Sequence, residues 1–330
     1  MVRSSSELMP GRVRPDRRAA TRGWRGVVRR VTFGAIAPRA GQAEVQEAVD
    51  RAAVNVQFST GKTVVVANSK GGSGKSPTVV GIAGTFGEVR GGGATVAWDN
   101  NETLGTLGIR TEPGRLPTTA VDLLANLDAF EQVDARRGDL GRFLRHQESG
   151  QFDVLVSDED PKRMSEIGDI EYDRIHRVLR RWNDVIVVDT GNNPRSPNFL
   201  AAIESADLLV IPVRWAADVV VSAGRLIDQL RANGHGDLVS RAVTVVTGAS
   251  APRADLAGQV AQWRDWFTAQ TAAVLEVPYD RHLAVGESIV YGDLDPSTRR
   301  AYLRVAAAIA RGFADLDTAT EYARIKETHR

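Results

Sequence analysis

Thr63-Val64-Val65-Val66-Ala67-Asn68-Ser69-Lys70-Gly71-Gly72-Ser73-Gly74-Lys75-Ser76 joins a β-branched run to a glycine-rich turn, and a helix-like run follows it. The spacing G-x-x-x-x-G-K-[ST] fails because Ser69 stands where the first glycine belongs. The variant K-G-G-x-G-K-[ST] fits at every position from Lys70 to Ser76. In such a loop Gly71, Gly72, Ser73 and Gly74 let consecutive N–H groups converge on phosphate oxygens, and the N-terminus of the following helix adds partial positive charge. Lys75 suits the β/γ-phosphates, and the Ser76 hydroxyl suits Mg²⁺. Pro77 and Thr78 complete the nucleotide-binding set. A glycine-rich turn without a ligand is the plain alternative, but strand, loop, lysine and hydroxyl together favour nucleotide binding.

Lys70 needs a separate reason. Two ammonium groups five residues apart crowd a single nucleotide unless one points elsewhere, and a nucleotide on a facing subunit is such a place. The chain holds only 5 Lys against 37 Arg, so two lysines in this loop stand out. An exposed loop lysine is the alternative.

From Thr63 onward, short β-branched runs alternate with longer helical stretches, the pattern of an α/β fold with a mostly parallel central sheet flanked by helices. Seven strands are expected, at 63–67, 95–98, 152–157, 184–188, 207–213, 242–247 and 273–277. The 330 residues, 42% apolar and 25% charged, are enough for a full core. No apolar run approaches the roughly 18–20 residues that cross a bilayer. The absence of cysteine excludes disulfides, thiolate zinc sites and cysteine-ligated iron–sulfur clusters. Residues 1–30 carry nine Arg against Glu7 and Asp16, a local +7 in a chain whose formal charge is +1. That asymmetry points to an acidic partner.

The lysine-bearing loop resembles that of the ParA/MinD family of dimeric ATPases. Asp99-Asn100-Asn101 with Gly105-Thr106-Leu107 resembles the family's first switch, and Asp189-Thr190-Gly191, ending the run DVIVV, resembles its second acidic motif. The C-terminal stretches 277–280 and 297–302, and the segment before the loop, are similar to actinobacterial MinD-like proteins of mobile elements or type VII secretion loci. The resemblance implies a three-layer P-loop NTPase fold, ATP and Mg²⁺ as cofactors, and slow, partner-stimulated ATP hydrolysis in a homodimer with nucleotide at its interface. It assigns catalysis to Lys70, Lys75, Asp99 and Asp189, and the metal to Ser76, Asp99 and Asp189. Asp99 would orient water, and Lys70 would reach the partner's nucleotide. Pro77, where the family usually has Thr, offers no N–H, and Asn101 stands at the second acidic position of the first switch, which leaves open which residue orients the water.

The implied role is partition or positioning of a plasmid or chromosome cargo through nonspecific DNA, with Arg300, Arg304 and Arg311 as a basic helix stripe. A solvated helix face is the alternative. A stimulating partner would be ParB-like or part of a secretion apparatus. The second reading is a nucleotide-gated scaffold with negligible hydrolysis serving type VII secretion or conjugation. Residues 24–36 form an amphipathic segment suited to membrane, to DNA or to docking on the protein body. The expected location is cytoplasmic, nucleoid-associated or peripheral at the inner membrane. The chain divides into a disordered basic arm (1–22), a helical extension (23–60), an ATPase domain (61–316) and a polar tail (317–330).

Overall fold

The computed structural model describes residues 19–21, 27–28, 30–33, 35–36, 38–101, 105–164, 166–249 and 256–328. They fall into two compact units that divide between Ala52 and Ala53. Most of the basic arm, 1–18 and 22, therefore lies outside the described residues, as do 24–26, 29 and 34 of the amphipathic segment 24–36. In the first unit, Ala20 N–H donates to Pro38 O at 2.7 Å, and Thr21 donates to Glu44 at the start of α1 (Gln42–Val54).

The second unit is an eight-stranded sheet: β1 (Lys62–Val66), β2 (Thr95–Asn100), β3 (Arg145–Gln147), β4 (Phe152–Leu155), β5 (Val185–Thr190), β6 (Leu208–Val213), β7 (Val243–Ala249) and β8 (Ala273–Pro278). Their order is β3-β4-β2-β5-β1-β6-β7-β8. Every pairing is parallel except β3 with β4. The seven expected strands are present, and β3 is an eighth, antiparallel at the edge.

Strands β1, β2, β5 and β6 are buried along their whole length, as β-branched runs covered on both faces should be. Alternate side chains supply two cores. Val64 and Val66 face a layer containing α2 (Lys75–Arg90) and the last long helix, while Val65 faces α3 (Asp169–Trp182), α4 (Pro197–Ser205), α5 (Ala217–Ala232) and Phe267 of α6 (Ala257–Gln270). On that second face Trp98 stacks on Tyr172 with ring centroids 4.5 Å apart.

The last long helix, α7 (Pro296–Thr328), packs ring against backbone on α2. A Cβ at Gly81 would overlap the Tyr302 ring, and one at Gly84 the Tyr291 ring. Residues 317–328, read from sequence as part of a polar tail, continue this helix. Asp317 pins it by accepting Ser59 N–H at 3.0 Å and pairing with the Lys62 ammonium.

Candidate functional site

Strand β1 ends in the middle of the sheet, and the chain turns through Asn68–Gly74 into α2. Asn68 is buried and builds the turn: its Nδ2 donates to Pro212 O at 2.8 Å, and its Oδ1 accepts Lys70 N–H at 3.0 Å. Gly72 (φ 71°) and Gly74 (φ 95°) adopt the left-handed conformation that glycine tolerates. A Cβ at Gly74 would lie 2.7 Å from Thr247 Oγ1, and that hydroxyl bonds Ser73 O and Val213 O. Gly74→Ala therefore meets both backbone strain and a steric block. It should cost about 1–3 kcal/mol of stability in urea unfolding and weaken nucleotide binding, whereas Gly138→Ala, in open space, should do neither.

At the helix start, Lys75 Nζ donates to Asn68 O at 2.9 Å and to Asn192 Oδ1 at 2.6 Å, so the ammonium is held across the loop by the segment that follows β5. Ser76 Oγ lies 2.8 Å from Thr106 Oγ1, and its hydroxyl favours the charged form of Asp189. Sheet order brings the two predicted carboxylates together: β2 pairs with β5, and Asp99 sits opposite Asp189 in the register. Asp99 is 1% exposed; its carboxylate accepts the N–H of Leu107 at 3.1 Å and of Asn101 at 3.3 Å, with help from the Ser157 hydroxyl. Burial pushes both carboxyls well above the ordinary range, and the charge of Asp189 pushes Asp99 further; the Ser76 hydroxyl and the Lys75 ammonium pull Asp189 back in part.

One oxygen of Asp189, Oδ1, is buried without a hydrogen-bond partner among the described residues. A hydroxyl, an orphaned carboxylate oxygen and a second anion beside it suit a hard divalent cation such as Mg²⁺. Among the described residues no group of three or more His, Asp or Glu could enclose a metal. An ion held by Ser76 and Asp189 would thus complete its shell with phosphate and water oxygens, the usual habit of Mg²⁺.

These groups open into a cleft of about 700 Å³, a size that suits a nucleotide. Gly71, Gly72, Gly74, Lys75, Ser76, Pro77 and Asp189 line one side; Asn101, Thr106, Arg110, Tyr279, Leu283, Gly286 and Tyr302 are among the rest. Ser73 and Thr78 are buried in the loop and the first turn of α2. Asp99 is not a lining residue; the first-switch residues at the cleft are Asn101 and Thr106. Lys70 turns away from it, its Nζ 3.2 Å from Asp218 Oδ2 at the start of α5. Arg300, Arg304 and Arg311 stand exposed on α7, at spacings that share one helix face, and none lines the cleft. Sequence reasoning passed over Asp218, Ser157 and Arg110. The first two act only through partners distant in sequence, and Arg110 carries no motif.

No family model matches this chain. It is 26% identical over 251 residues to the ESX-1 secretion-associated protein EspI of Mycobacterium tuberculosis, covering 76% of this chain and 36% of that relative. The chain thus spans about a third of the length of the curated relatives it matches. Among solved structures it is similar to a ParA family ATPase from Chlorobium tepidum (TM-score 0.61, 16% identity, 75% of this chain and 98% of that one). The cell division ATPase MinD of Pyrococcus furiosus is also similar (0.58, 15%, 76% and 99%). So is cobyrinic acid a,c-diamide synthase of Mycobacterium smegmatis with an ATP analogue and magnesium (0.53, 17%, 77% and 96%). The fold is that of the ParA/MinD ATPases.

Proposed function

We propose that this chain binds Mg-ATP in the cleft and hydrolyses it slowly as a nucleotide-sandwich homodimer that positions a cargo. The observation that carries this reading is the convergence of Lys75, Ser76 and Asp189 on one cleft beneath a glycine loop of K-G-G-x-G-K-S sequence. Lys75 and the loop N–H groups take the β/γ-phosphates, Ser76 and Asp189 hold the metal, and Asp99 adds a second anion at its back. Bound Mg²⁺ supplies neutralisation of the phosphate charge. Lys70, released from Asp218, reaches the partner's nucleotide.

The stripe Arg300, Arg304 and Arg311 supports nonspecific DNA as the working surface, with a ParB-like partner stimulating turnover. The likeness to EspI favours a second reading, a nucleotide-gated scaffold of a secretion apparatus. Sedimentation with ADP, Mg-ATP and a nonhydrolysable analogue, with and without duplex DNA at two salt concentrations, separates them. An ATP-dependent dimer that holds DNA less at high salt supports the first; a monomer in every nucleotide state sinks the sandwich dimer. Replacing the three arginines by alanine should flatten the slope of log K against log salt by about one unit per arginine and leave ATP affinity unchanged.

A further inference from the structure

Among the described residues Arg110 is the one cleft-lining arginine that is nine-tenths buried, with 9% of its surface exposed. Its NH2 donates to Leu283 O at 2.6 Å. Among the described residues its buried Nε has no hydrogen-bond partner and no carboxylate pairs with it. The NH1 end passes Gly286, where a Cβ would still stand 3.6 Å away. A guanidinium carries five N–H donors, so a buried one with a single carbonyl partner holds donors in reserve, and burial lowers its affinity for its own proton. Such a cation facing a cleft is suited to an anion.

Position says which anion. Thr106 touches Ser76, and Arg110 N–H donates to Thr106 O at 3.0 Å, so Arg110 follows one turn after the residue that meets the Ser76 hydroxyl. The first turn of α2, which lines the same cleft, should present free N–H groups, but its third residue is Pro77, which has none. Pro77 lines the same cleft. Resting on the nucleotide reading above, we propose that Arg110 is an α-phosphate-binding residue, supplying in the same cleft the donors that Pro77 withholds.

The test is competition by adenosine, AMP, ADP and ATP against a fluorescent ATP analogue, at constant Mg²⁺, for wild type, Arg110→Gln, Arg110→Lys, and Arg110→Gln combined with Pro77→Ala. Arg110→Gln should weaken AMP, ADP and ATP by a common factor of tenfold or more and leave adenosine within twofold. Arg110→Lys should fall between, and adding Pro77→Ala should recover part of the loss for the three phosphates alone. An unchanged ratio of AMP to adenosine affinity in Arg110→Gln overturns the proposal, as does an equal loss for adenosine, which would make Arg110 only a brace for the 283–289 loop. If wild type binds none of the four, the nucleotide reading itself fails and takes this inference with it.

Discussion

Asp189→Asn should melt above the wild type in the absence of nucleotide and yet lose Mg²⁺-dependent ATP binding. The carboxyl of Asp189 is raised from 3.8 to about 6 in the folded protein, first by burial. A group raised on folding contributes stability that is fully present below its unfolded value, near 3.8, and is lost as pH rises through the folded one. The nucleotide-free wild type therefore weakens between about pH 4 and 7, and asparagine, which carries no charge, does not share that loss. The gap at pH 8 should be ~2 kcal/mol, on the order of 5 °C, and should close near pH 4. With Mg-ATP the order should reverse, because the variant lacks the anion proposed to hold the metal: ATP affinity should fall at least ~100-fold, about 3 kcal/mol. Thermal melts across pH and calorimetric titration with and without Mg²⁺ measure both halves. No stabilisation of the nucleotide-free variant at pH 8 would mean that the paired carboxylates are not a stored cost.

Lys70→Ala and Lys75→Ala should separate dimerisation from binding. Lys75 bridges the loop and Asn192 inside the cleft, and its loss should abolish ATP binding. Among the described residues the Lys70 ammonium meets only Asp218, with the two side chains 46% and 61% exposed, a solvated pair that opens at little cost. Lys70→Ala should therefore keep ATP affinity within about twofold while the ATP-dependent dimer disappears and phosphate release drops roughly 100-fold, the scale of losing one charged group at a transferring phosphoryl. Asp218→Ala should leave turnover at or above wild type. Sedimentation with phosphate-release assays decides it. Intact dimerisation in Lys70→Ala would favour a small-molecule enzyme of the same fold.

How far the sequence reads into the structure depends on how local each feature is. The loop and the seven apolar strands are written in contiguous residues and could be located from them. Strand β3 could not, since Arg145-His146-Gln147 has no apolar alternation and is held by pairing with β4 and by Gln147 bonding both ways to Glu112. Asp99 and Asp189 were visible as strand ends, but their opposition depends on β2 lying next to β5, which is a property of sheet order. The same non-locality hid the helical course of 317–328, secured by Ser59 and Lys62, and the far wall of the cleft, assembled from 106–110 and 278–286.

The contact between Gly81 and Tyr302 has a mechanical meaning. With a ring seated on bare backbone and the Tyr302 hydroxyl bonded to Pro77 O at 3.3 Å, there is no clearance for α2 and α7 to slide, and close-packed interiors transmit small displacements. A shift at the loop end of α2 would press directly on Tyr302 and so on α7. The two helices are thus joined as one stiff strut, and enlarging Gly81 is expected to disturb the loop end of α2 and the course of α7 together.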